Sequence, residues 1–147
     1  MHNFSILHVE DEESDVLFMR QALTRAGVNN AVITVGDGQE AIDYLAGRGA
    51  YADRQEHPLP GLVLLDLKLP IKSGFDVLKW IRAQPALRKL ISVVCTASNQ
   101  QVDMDAAYDL GANGYVVKPS NLTQLVEVAK AIREYWLVHN QPPKVIP

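Results

Sequence analysis

The sequence predicts an α/β fold: a doubly wound sheet of five parallel strands with helices on both faces. Three observations carry this expectation. Five short runs rich in β-branched residues recur along the chain, segments of helical period fall between them, and the runs are apolar on both faces, as strands covered by crossover helices must be.

The strand-like runs are 5–9, 31–35, 62–66, 91–96 and 114–117. After the first, Val16, Met19, Leu23 and Ala26 recur at helical spacing, with Ser14 as the expected N-cap. After the third, Phe75, Leu78 and Ile81 do the same behind Ser73. Residues 47–61, punctuated by Gly47, Gly49, Pro58 and Pro60, read as a long surface loop without chemistry of its own. The last helix places Leu122, Leu125, Ala129, Ile132 and Trp136 in one apolar stripe. Pro142 and Pro143 cannot continue it, so 1–140 reads as one domain and 141–147 as an extended tail.

A chain of 147 residues, 48% of them hydrophobic, can bury one core and has little room for a second. A net charge of -3 supplies no basic field for nucleic acid or an anionic membrane. The lone Cys95 cannot form an internal disulfide and reads as a small buried apolar residue in a reducing compartment. With no stretch of about 18 apolar residues and no signal-like start, the expected location is the cytoplasm.

In an open parallel sheet, ligands bind beyond the carboxyl ends of the strands, where the strand order reverses. The first run ends in Glu10-Asp11-Glu12-Glu13, the third in Asp66 and the fourth in Thr96, and Lys118 follows the fifth. Singly, each has an ordinary reading: a solvated helix start, a strand-end cap, a β-former, a surface charge. Jointly they bring carboxylates, a hydroxyl and an ammonium to one rim. Clustered carboxylates call for a cation, and hard oxygen ligands suit Mg²⁺. With phosphoryl charge so neutralised, Asp66 at a rigid strand end is the expected nucleophile, and Lys118 and Thr96 would bind phosphoryl oxygens.

The chain resembles the response-regulator receiver domains of two-component signalling over essentially its whole length. The matching residues are Glu10-Asp11, the segment from Asp66 through Pro70 to Gly74, Thr96-Ala97 and Lys118-Pro119, with Thr96 and Lys118 following Asp66 and Thr96 by 30 and 22 residues. The resemblance implies a flavodoxin-like strand order, 2-1-3-4-5. It makes Asp66 the phosphoacceptor, places Mg²⁺ on Asp11, Asp66 and the Lys68 backbone carbonyl with Glu10 acting through a metal-bound water, and makes the Lys118–Pro119 bond cis. It makes Thr96 and Tyr115 the switch pair, and gives Lys68 and Ser98 a tuning role in dephosphorylation. It also implies a protein that catalyses only its own phosphorylation and dephosphorylation.

Within that family, the long loop before the third strand, the Tyr135-Trp136-Leu137 helix ending and the proline-containing tail look most like stand-alone regulators of phytochrome histidine kinases. Such regulators imply a histidine kinase as partner. Val128 and Tyr135, apolar surface off the main stripe, together with Trp136 at the aromatic end, point to a homodimer. A tail folded back over its own domain is the alternative. Two rival chemistries fit less well. A haloacid-dehalogenase-like phosphatase needs a second acid where Lys68 stands, and a flavodoxin-like phosphate cradle would not carry Glu10 to Glu13. A binding module of this fold that is never phosphorylated would not need Asp11, Asp66, Thr96 and Lys118 together.

Overall fold

A computed structural model of the chain describes residues 1–145. Its strands are β1 (Ile6–Val9), β2 (Val32–Val35), β3 (Leu62–Leu65), β4 (Ile91–Thr96) and β5 (Gly114–Val117). They form one parallel sheet in the order β2-β1-β3-β4-β5, the expected topology. The helices are α1 (Glu13–Arg25), α2 (Gly38–Ala46), α3 (Gly74–Ala83), α4 (Gln101–Asp109) and α5 (Leu122–Ile132). α1 and α5 pack together over one face, burying Met19, Leu23, Leu125 and Ala129 against Ile6, Leu62 and Val93. On the other face Ile42, Val77, Leu78 and Ile81 from α2 and α3 close over Leu7, Val63 and Leu65.

Local chemistry accounts for the helix ends. Ser73 caps α3 reciprocally with Asp76, Asp37 caps α2 through the Glu40 N–H, and Asn121 caps α5 through the Gln124 N–H. The expected Ser14 cap is a correction: α1 starts two residues earlier, and Glu12 stands at its N-cap with no side-chain hydrogen bond. The acidic residues Glu13 and Asp15 in its first turn complement the helix dipole instead.

The loop at 47–61 is more structured than its composition implied. It contains a 3₁₀ turn (Gly49–Tyr51), and Arg54 donates to the carbonyls of Tyr44, Leu45 and His57, closing the C-terminus of α2. Tyr44 and Tyr51 lie against each other with ring centroids 5.0 Å apart.

The end of α5 departs from the expected stripe. Beyond Ile132 the helix widens into a π-helical segment (Arg133–His139), in which Asn140 N–H bonds to Tyr135 O. The next fully buried position therefore falls at Leu137, and Trp136 is half-buried beside Gly114 of β5. Val128 is likewise half-buried against its own domain, and only Tyr135 of the expected dimer residues is well exposed, at 54%. After His139 the chain is extended and turns back: Pro142, Pro143 and Val145 line a cleft with Phe4, Leu59 and Ile91, and Val145 packs against the core. Of the expected tail, Ile146 and Pro147 lie outside the described residues.

Candidate functional site

The strand order places the C-terminal ends of β1 and β3 side by side, where the winding of the sheet reverses. Glu10 continues β1 by donating its N–H to Val35 O, and Asp66 continues β3 by donating to Val9 O. Both side chains are thus held on the rigid rim of the sheet and are almost fully buried, at 2% and 7% exposure. α3 starts close behind them because Gly74 has no side chain: a Cβ there would collide with the Asp66 carbonyl.

Lys118 crosses to this rim from the end of β5, its N–H anchored on Thr96 O at 2.7 Å. Its ammonium donates to Glu10 Oε2 at 2.8 Å, Asp66 Oδ2 at 2.8 Å and Asp15 Oδ2 at 2.9 Å. Burial raises the Glu10 carboxyl to about 7, against the pull of Lys118 and with the help of neighbouring Asp66. Burial would raise Asp66 too, but the Lys118 hydrogen bond reverses it, with Glu10 and Thr96 adding to the lowering. Asp66 is therefore the member of the pair that stays ionised. For Lys118, burial works against the charge and the three carboxylates more than offset it, so its pKa lies above the usual lysine value. The result is a desolvated carboxylate at a strand tip with a cation beside it, a setting suited to nucleophilic attack on an electrophilic phosphorus.

Thr96, 1% exposed, ends β4 beside this group. Two residues on, the Ser98 hydroxyl donates to Asp103 at 2.5 Å, and the Ser98 carbonyl accepts from the Tyr115 hydroxyl at 2.9 Å. The loop after Thr96 and the ring on β5 are therefore mechanically joined. The Lys68 side chain is exposed, while its backbone N–H donates to Asp66 Oδ1 at 3.3 Å.

One expectation changes, the form of the peptide bond before Pro119. Among the described residues no group of three or more His, Cys, Asp or Glu side chains is gathered to hold a metal. Asp11 is exposed, while Glu10 and Asp66 both meet the Lys118 ammonium. Among the described residues no peptide bond is cis, so the Lys118–Pro119 bond is trans. Trans is the lower form of an X–Pro bond by about 0.5–1 kcal/mol, and with it Lys118 already reaches its three partners.

Two residues of the site escaped the sequence reading. Asp15 stands just past the acidic run, separated from it by Ser14, in the first turn of α1, where it reads as one more acid at a helix start. His8 interrupts an apolar strand; it is 3% exposed, with Nδ1 unpartnered among the described residues, and burial, followed by Lys118, pushes it down to about 4.

A five-stranded doubly wound sheet with an acid pair, a strand-tip Asp, a hydroxyl and a lysine on one rim defines a class of phosphoryl-accepting signalling domains. The chain belongs to the response regulator receiver domain family, which matches residues 6–130. It is 36% identical over 132 residues to response regulator Rcp1 of Synechocystis sp., covering 90% of this chain and 88% of that protein. The fold is similar to that of phosphorylated cyanobacterial phytochrome response regulator RcpA, with a TM-score of 0.89, 39% identity and coverage of 98% of this chain and 100% of that one. It is also similar to the Mn²⁺-bound form of Rcp1, with a TM-score of 0.86, 34% identity and coverage of 96% and 99%. Among the described residues no helix is long and apolar enough to cross a membrane.

Proposed function

We propose that this receiver takes a phosphoryl group onto Asp66 from a histidine kinase, with Mg²⁺ as cofactor. The observation that carries this reading is the buried Asp66 carboxylate, kept ionised by the Lys118 ammonium 2.8 Å away at the carboxyl edge of the sheet. An Asp66 oxygen attacks phosphorus in line, the bond to the kinase's histidine nitrogen breaks, and the imidazole leaves with the electron pair. Lys118 and the Thr96 hydroxyl bind oxygens of the transferred group.

Glu10 and Asp66 fit a hard divalent ion: both are carboxylates, both are almost fully buried, and both reach one point, the Lys118 ammonium, at 2.8 Å. Mg²⁺ asks for only one or two carboxylates and keeps several waters, so an exposed Asp11 and the Lys68 carbonyl can complete the set. When bound, the ion neutralises charge on the phosphoryl oxygens. The Mn²⁺-bound form of Rcp1 supports a divalent ion in a similar fold.

Phosphorylation is proposed to shift the loop after Thr96 and, through the Ser98 carbonyl, the Tyr115 ring. Lys68 and Ser98, two residues beyond Asp66 and Thr96, are proposed to tune the hydrolysis of the phosphoryl group. Because RcpA is a phytochrome response regulator, the partner kinase is proposed to be of phytochrome type. Exposed Tyr135 supports a homodimer through the end of the last helix, with Val128 and Trp136 contributing their uncovered edges.

Incubation with phosphoramidate or acetyl phosphate and Mg²⁺ is expected to add one phosphoryl mass to the wild type and none to Asp66→Asn. A wild type that gains no mass, or a variant that gains as much, would sink the phosphoacceptor assignment. Against a panel of phosphorylated histidine kinases, a phytochrome kinase is expected to lose label to this chain fastest. Equal rates across the panel would remove that pairing.

A further inference from the structure

Lys118 has no hydrogen-bond donor to spare. An ammonium carries three N–H groups, and all three are engaged by carboxylates: Glu10 at 2.8 Å, Asp66 at 2.8 Å and Asp15 at 2.9 Å. While a phosphodonor approaches, Asp66 is still a carboxylate and still holds its bond. A phosphoryl oxygen can therefore gain Lys118 only if one of the carboxylates lets go.

The three are not equivalent. The Glu10 and Asp66 side chains are 1% and 9% exposed, so water cannot take over a hydrogen bond that either one loses. The Asp15 side chain is 37% exposed, and water can take over its hydrogen bonds. Room for the exchange exists as well. Asp15 and Lys118 both line a cavity of about 280 Å³ between α1 and the start of α5, walled by Phe18, Pro119 and Leu122.

We propose that Asp15 is a positioning residue for the phosphoryl reaction: it holds the third donor of Lys118 in the resting protein and is exchanged for a phosphoryl oxygen when Asp66 is modified. The inference rests on Asp66 being the phosphoacceptor. Asp15 then acts as a brake, because each phosphorylation has to break its ion pair. It also ties the modification to α1, whose first turn loses its link to β5 when Lys118 moves.

The test uses beryllofluoride, which occupies the acyl-phosphate position without hydrolysing, added with saturating Mg²⁺ to the full chain. Calorimetry is expected to show Asp15→Asn binding it about fivefold more tightly than wild type, the factor that the loss of a competing, partly exposed ion pair supplies. A purely structural Asp15 would weaken binding when removed, so unchanged or weaker binding overturns the proposal. A crystal structure of the wild-type complex gives a second reading that needs no variant. Lys118 Nζ is expected on the fluoride and out of hydrogen-bond reach of Asp15; an intact Lys118–Asp15 pair in that complex also overturns the exchange, leaving simple charge repulsion by Asp15. No uptake by wild type would fall on the phosphoacceptor reading itself and remove this inference with it.

Discussion

His8 is a titratable ring in the middle of a buried strand, faced by Lys118, Asp66, Arg20 and Asp15. Its folded-state pKa of about 4 lies below the ordinary 6.5, so between these values the unfolded chain binds a proton that the folded chain refuses. Stability contributed by the neutral ring is full above pH 6.5 and is lost as pH falls toward 4. The gap corresponds to about 3 kcal/mol at most. His8→Leu is expected to flatten the acid limb of a stability-against-pH curve from urea unfolding; an unchanged limb would place the acid sensitivity elsewhere. At this scale the sequence was partly legible. Asp66, Thr96 and Lys118 announced themselves by standing at strand ends, and Glu10 by following β1 directly. Asp15 did not, because its role depends on α1 folding it over Lys118, a residue 103 positions away.

At the scale of elements, the segment after Asp66 shows how tightly the rim is built. Lys72 N–H bonds to Pro70 O across Ile71, a γ-turn that holds this β-branched, 77% exposed residue at φ 69°. α2 starts against the turn, since a Cβ on Gly38 would collide with the Lys72 carbonyl. The far end of α2 is closed from outside by Arg54, whose fork satisfies the carbonyls of Tyr44 and Leu45. Arg54→Ala leaves those acceptors open and is expected to cost about 1–3 kcal/mol in chemical denaturation. Phosphoryl uptake should stay unchanged, because Arg54 lies at the opposite end of α2 from Asp66; a loss of uptake at wild-type stability would contradict this division. The loop looked unremarkable in the sequence because one arginine capping a preceding helix has no periodic signature.

Over the whole molecule, the first residues and the segment after the last helix meet at the edge of the sheet where the strands begin. His2 N–H bonds to Leu137 O, its ring lies 2.8 Å from Asn140 O, and Asn30 donates to the carbonyls of His2 and Phe4. Val145 then closes a cleft against Phe4, Leu59 and Ile91. Deleting 141–147 uncovers this apolar surface and is expected to lower the melting temperature by a few degrees. Sedimentation equilibrium separates the tail from the proposed dimer contact. Tyr135→Asp should shift a dimer to monomer while leaving the melting curve of the domain near wild type. A monomeric wild type at tens of micromolar would remove the homodimer.

The order of strands and helices, the identity of each core face and the residues at the strand tips were all determined by the sequence, because side-chain period and turn chemistry are local properties that a strand or helix carries wherever it packs. Tertiary structure alone decided the rest. Which carboxylates share Lys118, which of Glu10 and Asp66 keeps its charge, where the last helix widens and what the tail covers all depend on distances between segments far apart in the chain. Those distances arise only once the sheet has brought β1, β3, β4 and β5 to one rim, where burial removes the water that would otherwise separate their charges.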